Sequence, residues 1–120
     1  MTATLFEGAV LLDESITAEG WRARVRVDPS CPLFDGHFEG EPVLPGVAQL
    51  AVVSHGMGAW AGGRVALGGL PSVRFRQRVR PGDTLDVFVG APEADGRARF
   101  EVRVAGELAA HGVAEARRVG

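Results

Sequence analysis

A chain of 120 residues has room for one domain, and its hydrophobic share of 46% suffices for a core. No apolar run approaches the roughly 18 residues of a membrane-spanning helix, and a net charge of −2 argues against nucleic acid as a main partner. The N-terminus lacks a basic start, and Glu7, Asp13 and Glu14 interrupt its apolar stretch, so no signal peptide is read there. The expectation is a single cytoplasmic domain over residues 1–120, with no membrane association.

A strand pattern opens the chain from Leu5 to Leu12, followed by a turn near Glu14 to Gly20. From Trp21 to Val27, Trp21, Ala23, Val25 and Val27 alternate with Arg22, Arg24 and Arg26, the period of a half-buried strand. Asp28 to Leu44 reads as a long loop rich in Pro, Gly and acids, a length usually tied to function. Its Cys31, the one cysteine, cannot form an internal disulfide and reads as a small apolar loop residue.

A helix is predicted from Pro45 to about Trp60. Val47, Leu50, Ala51, Ser54 and Met57 or Gly58 repeat at helical spacing, and the run holds almost no charge, so burial on most sides is expected. Gly56, Gly58, Gly62 and Gly63 mark its exit.

Next, Val73, Phe75, Gln77 and Val79 alternate with Arg74, Arg76, Arg78 and Arg80, which predicts a strand with four arginines on one face. A turn at Pro81-Gly82-Asp83 follows, then strands at Thr84 to Val89, Ala98 to Val104 and Leu108 to Ala116. The turns between them fall at Ala94-Asp95-Gly96 and Ala105-Gly106-Glu107. The pattern is α+β, an antiparallel sheet curled round one central helix. The three histidines and one cysteine have no metal-ligand spacing, and no strand-Gly-loop-helix unit cradles a nucleotide, so no metal or cofactor is expected.

The stretch LFDGHFEGEPVLPGVAQL resembles the active-site signature of bacterial 3-hydroxyacyl-acyl-carrier-protein dehydratases, roughly Phe-x-Gly-His-Phe-Pro-x-x-Pro-(Ile/Val)-x-Pro-Gly-Val. Phe34, Gly36, His37, Phe38, Pro42, Val43, Pro45, Gly46 and Val47 match it. VLPGVAQL followed by His55 is most similar to the branch linked to aryl-polyene and related pathways, and Arg74 to Leu85 resembles the later strand and turn. The resemblance implies a hot-dog fold, usually dimeric, with sheets joined edge to edge and active sites at the dimer interface. It implies removal of water from a 3-hydroxyacyl thioester, held on acyl carrier protein or coenzyme A, to give the trans-2-enoyl thioester.

Carried over residue by residue, the resemblance makes His37 the base for the α-proton and gives the Gly46 N–H the thioester carbonyl. Phe34, Gly36, Phe38, Pro45, Gly46 and Val47 are then the substrate-binding set. Where the family carries Asp or Glu on the helix stands Ala51, which cannot donate a proton, and Glu39 replaces a Pro. His55, four residues on along the same face, either orients a neighbour, donates the missing proton, or is a satisfied core histidine. Glu39 and Glu41 are either substitute carboxylates or solvated loop acids. Arg74, Arg76, Arg78 and Arg80 suit an acidic carrier protein and a phosphopantetheine phosphate, or form a solvated face. His111 has no partner readable from sequence.

Three functions follow: a dehydratase subunit, as a homodimer or completed by a paralogue's carboxylate in a heterodimer; a non-catalytic acyl-thioester-binding module; and a hot-dog thioesterase. Trp21, Phe75 and the edge strands are expected to leave apolar surface for a dimer.

Overall fold

The structure, a computed structural model, describes residues 3–32 and 44–119. The described residues form one antiparallel sheet and one helix. The strands are β1 (Ala3–Phe6), β2 (Ala9–Thr17), β3 (Gly20–Val27), β4 (Val65–Phe75), β5 (Thr84–Gly90), β6 (Arg97–Val104) and β7 (Glu107–Arg118), with α1 (Gly46–Trp60) between β3 and β4. The sheet order is β1-β2-β3-β5-β6-β7-β4, so β1 and β4 are its edges.

Alternation decides which face meets the helix. Trp21, Ala23, Val25 and Val27 of β3, Leu85, Val87 and Val89 of β5, and Ala98, Phe100 and Val102 of β6 are all buried. The intervening residues form a charged outer face, where Arg24 lies between Asp13 and Asp86 at 3.8 and 3.5 Å and the Arg22 guanidinium stacks on Phe88 at 4.4 Å. These ion pairs are exposed and contribute little to stability. The core side closes on α1, which packs against β4, β3 and β5.

Burial of the helix is one-sided, where burial on most sides was expected. Ala48, Gln49, Val52, Val53, Gly56 and Met57 face the sheet, whereas Val47, Ala51 and His55 are exposed. Because α1 carries no Asp, Glu, Lys or Arg, its sequence does not reveal which apolar face meets the core.

Three further expectations are corrected. A turn at Glu7–Gly8, with Gly8 at φ 90°, splits the opening strand into β1 and β2, and β2 runs on through Thr17 to reverse at Ala18–Glu19. The segment after Gly62–Gly63 is strand: β4 begins at Val65 despite Gly68, Gly69 and Pro71, which an edge strand with register shifts tolerates. Finally, β4 stops at Phe75, so the four arginines do not share a strand face. Beyond Phe75 the N–H groups of Arg76 and Gln77 both donate to Ala109 O, at 2.7 and 3.2 Å, and only Val79 of residues 76–80 is buried.

Candidate functional site

The site is built on the N-terminus and the open face of α1. Pro45, with φ −58° and ψ 146°, sits at the N-cap position, and Gly46 is the first helical residue. The Ala48 N–H donates to Pro45 O at 3.0 Å, while the Gly46 and Val47 N–H groups find no acceptor among the described residues. Among the described residues no side chain caps this end, and its first turn has no acid. Two donors without an acceptor among the described residues and the positive end of the helix dipole therefore meet at this end, as an oxygen gaining negative charge requires.

The same end is framed by the chain after β4. The Phe75 ring lies so close over Gly46 that a Cβ there would stand 2.6 Å from Cζ. The Leu44 N–H donates to Val79 O at 2.8 Å, which pins the approach to the helix. Phe75 is thus a site residue that the sequence did not reveal as one, because its role depends on a contact between a strand end and a distant helix start.

Val47, Ala51 and His55 follow one another up the open face, a turn apart. Ala51 and His55 line one groove of about 530 Å³ together with Ser54, Gly58, Ala59 and Val65. Ser54 Oγ accepts the Leu67 N–H at 3.0 Å and so ties α1 to β4. The His55 ring meets the edge of Trp21 at 5.8 Å between centroids, with the planes at 65°. Trp21 itself is fully buried, not the interface surface expected of it, and its Nε1–H donates to Glu14 Oε2 at 2.8 Å.

The structure therefore brings Pro45, Gly46, Val47, Ala51 and His55 onto one helix. His37, Phe34, Gly36, Phe38, Glu39, Glu41, Pro42 and Val43 lie outside the described residues. Arg74, Arg76, Arg78 and Arg80 are exposed. Arg76 Nε–H donates to His111 Nε2 at 2.9 Å, which gives His111 the partner its sequence context did not show. Cys31 is buried, its thiol directed at Glu7 O at 3.3 Å. Gln49 is 3% exposed, with an Oε1 that has no partner among the described residues, a buried polar group the sequence reading missed. Among the described residues no cluster of His, Cys, Asp and Glu is placed to hold a metal, and no helix is long and apolar enough to cross a membrane.

With this geometry in hand, the chain was compared with known proteins. The family described as "ApeI-like: ApeI dehydratase" matches residues 13–113. The 3-hydroxyacyl-[acyl-carrier-protein] dehydratase FabZ of Acetivibrio thermocellus is 34% identical over 116 residues, covering 86% of this chain and 80% of the relative. FabZ of Enterococcus faecalis is 40% identical over 81 residues, 62% of this chain, which spans only 57% of that relative's length. Among solved structures, the dehydratase heterocomplex ApeI:P from Xenorhabdus doucetiae superposes with a TM-score of 0.80 at 24% identity, over 90% of this chain and 96% of that one. An uncharacterized protein from Erwinia carotovora subsp. atroseptica gives 0.75 at 25% identity over 99% and 98%. These likenesses identify the curled sheet around one helix as the hot-dog fold. On the family match and the Acetivibrio relative together, the chain belongs to the ApeI-like dehydratase family.

Proposed function

We propose that this chain is a subunit of a cytoplasmic 3-hydroxyacyl-acyl-carrier-protein dehydratase whose sites straddle two subunits. The observation that carries the reading is the start of α1, whose Gly46 and Val47 N–H groups have no acceptor among the described residues, at the head of an exposed face that runs on to Ala51 and His55. His37 removes the α-proton of the thioester, and the growing enolate charge falls on an oxygen held by those N–H groups. The C3–O bond then breaks, and the hydroxyl leaves as water after taking a proton from an acid.

Ala51 supplies no acid, so the carboxylate facing His37 comes from a partner subunit, a dehydratase paralogue with Asp or Glu at the matching helix position. The ApeI:P neighbour, itself a dehydratase heterocomplex, supports such a pairing. Exposed Arg74, Arg76, Arg78 and Arg80, beside the helix start that Phe75 covers, receive the acidic carrier protein. Ala51 also favours a second reading, a non-catalytic module that only binds acyl thioesters.

Mass spectrometry of a 3-hydroxyacyl-carrier protein incubated with this chain, alone and with the paralogue, tests both readings. Loss of water in the mixture supports the dehydratase. Retention of the hydroxyacyl chain in every mixture, with the thioester still bound, replaces it with the binding module.

A further inference from the structure

We infer that the open face of α1 and the corner beyond its C-terminus form one site for a long apolar chain that ends in a carboxylate. The inference rests on the dehydratase reading for the identity of that chain, the far part of the acyl group, and deepens it by naming a substrate class.

The stem of the site is the groove of about 530 Å³ that begins at Ala51. Five of its eight lining residues are alanine or glycine, which leave room for methylene groups beside the helix. The Ser54 hydroxyl is already engaged by the Leu67 N–H. No Asp, Glu, Lys or Arg lines this groove, so it has nothing to fix an anion along its length.

The head is different. At Val65 the groove meets a second cavity of about 490 Å³, lined by Ala61, Arg64, Val65, Arg118 and Val119. Its walls are tied together: the Val119 N–H donates to Arg64 O at 3.0 Å, and Val65 faces Arg118 in register across β4 and β7. Neither guanidinium has an ion pair or hydrogen bond among the described residues, and no acid lines the cavity. Glu115, the acid nearest to Arg118 in sequence, pairs with Arg97 at 3.8 Å. Nor do the two arginines cap the helix. The Met57, Gly58 and Ala59 carbonyls at its end accept the N–H groups of Ala61, Gly63 and Gly62 at 3.2, 2.7 and 3.4 Å. Two cations on one cavity without a partner call for an anion, and a guanidinium suits a carboxylate through paired hydrogen bonds.

Length sets the substrate. The 15 residues of α1 put this corner about 22 Å from the helix start. An extended hydrocarbon advances about 1.25 Å per carbon, so a thioester carbonyl at Gly46 and a terminal carboxylate at the corner are joined by roughly 16–18 carbons. A methyl terminus would cover the two guanidiniums and give them no acceptor, a cost that a carboxylate avoids.

The test starts with binding of decanoate and decan-1-ol to the purified chain, followed through the amide shifts of Ala51, Gly58 and Gly62, with melts to verify that each variant folds. Decanoate should bind about tenfold more tightly than the alcohol. Arg64→Gln combined with Arg118→Gln should erase the difference, and Ala51→Phe, at an exposed position, should weaken both probes alike. Equal affinity of the two probes for wild type overturns the inference, as do a preference that survives loss of both guanidiniums and unmoved groove amides. Hydration of trans-2-enoyl thioesters by the chain with its acid-bearing paralogue then identifies the source of the carboxylate. A sixteen-carbon chain ending in carboxylate should exceed its methyl-ended counterpart about tenfold in kcat/KM, with no such difference at six carbons. A preference in binding that is absent from turnover assigns the site to a free fatty acid and overturns the acyl assignment. Turnover of six-carbon thioesters with no preference in either assay overturns the inference and leaves the dehydratase reading standing. Turnover of no thioester, with the binding preference intact, removes the dehydratase reading and leaves the site.

Discussion

Gly46 is held to glycine by its neighbour, not by its torsions. A methyl group there would stand 2.6 Å from Phe75 Cζ, so Gly46→Ala must push the ring away from the helix start. Phe75 is 48% exposed and can move at little cost in stability. The free N–H groups would nevertheless lose the ring that frames them, and displacements near 1 Å at reacting centres cost up to about 10²-fold. Gly46→Ala should lower kcat/KM at least about tenfold with a nearly unchanged Tm, as steady-state kinetics and a melt will show. A second residue bears on stability alone. Ala105, in the turn joining β6 and β7, has φ 51°, and Gly106 follows at φ 81°, a pair of left-handed conformations that suits Asn-Gly. A Cβ in that region costs about 1–2 kcal/mol, less for Asn, whose side chain bonds locally. Ala105→Asn should therefore stabilise the protein by about 0.5–1 kcal/mol in urea denaturation, without changing activity.

At the scale of elements, Gly56 sits mid-helix, where Gly→Ala ordinarily gains about 1 kcal/mol. Here the indole of Trp21 occupies the space, 2.3 Å from the added carbon, and Trp21 is fully buried. Overpacking of this kind costs about 1–3 kcal/mol, so Gly56→Ala should lower stability and displace the His55 ring from Trp21. Urea midpoints and the His55 proton shifts will report the two effects. The same helix shows what the sequence could and could not say. Its ends were legible from Pro45 and the glycines, β3 from strict alternation, and β5 and β6 from the turns that bound them. Its buried face was not, since α1 is uncharged all round and both stripes look apolar. Residues 65–72 escaped recognition because Gly68, Gly69 and Pro71 are poor strand formers, tolerated at an edge. Residues 76–80 misled in the opposite sense: the alternation runs on to Arg80, but the Ala109 carbonyl takes the N–H groups of both Arg76 and Gln77 and the ladder ends. Val47, Ala51 and His55 were legible as one face from their spacing, whereas the Phe75 cover and the Trp21 brace depend on contacts between distant elements.

For the molecule as a whole, the uncovered apolar surface points to assembly. Edge strand β4 runs back along α1, meeting Ser54 through Leu67 and Gly46 through Phe75. On α1, Val47 is 72% exposed, while β4 leaves Leu70 and Phe75 exposed; the other edge, β1, is only four residues long. Short edges resist pairing, and a long edge beside an apolar helix face invites it. Two chains should therefore meet across the α1 and β4 side, which also brings the Ala51 groove of one against the other. Docking of the carrier is a separate matter of charge. Changing Arg74, Arg76, Arg78 and Arg80 together to Ala should raise KM for a carrier-bound substrate roughly tenfold or more and leave that for a short pantetheine thioester unchanged. Assembly is tested at Val47. At 72% exposure the side chain contributes little to the fold of one subunit, so Val47→Glu should leave the circular dichroism spectrum intact. In a dimer the same carboxylate would be buried without a partner, a cost of several kcal/mol per ion and enough to dissociate most small interfaces. Light scattering at micromolar concentration should find a dimer for wild type and a monomer for Val47→Glu. Activity should fall with the dimer if, as proposed, each site takes His37 from one subunit and the helix face from the other. A wild-type monomer that still turns over substrate would refute the shared site, because one chain would then hold everything the reaction needs.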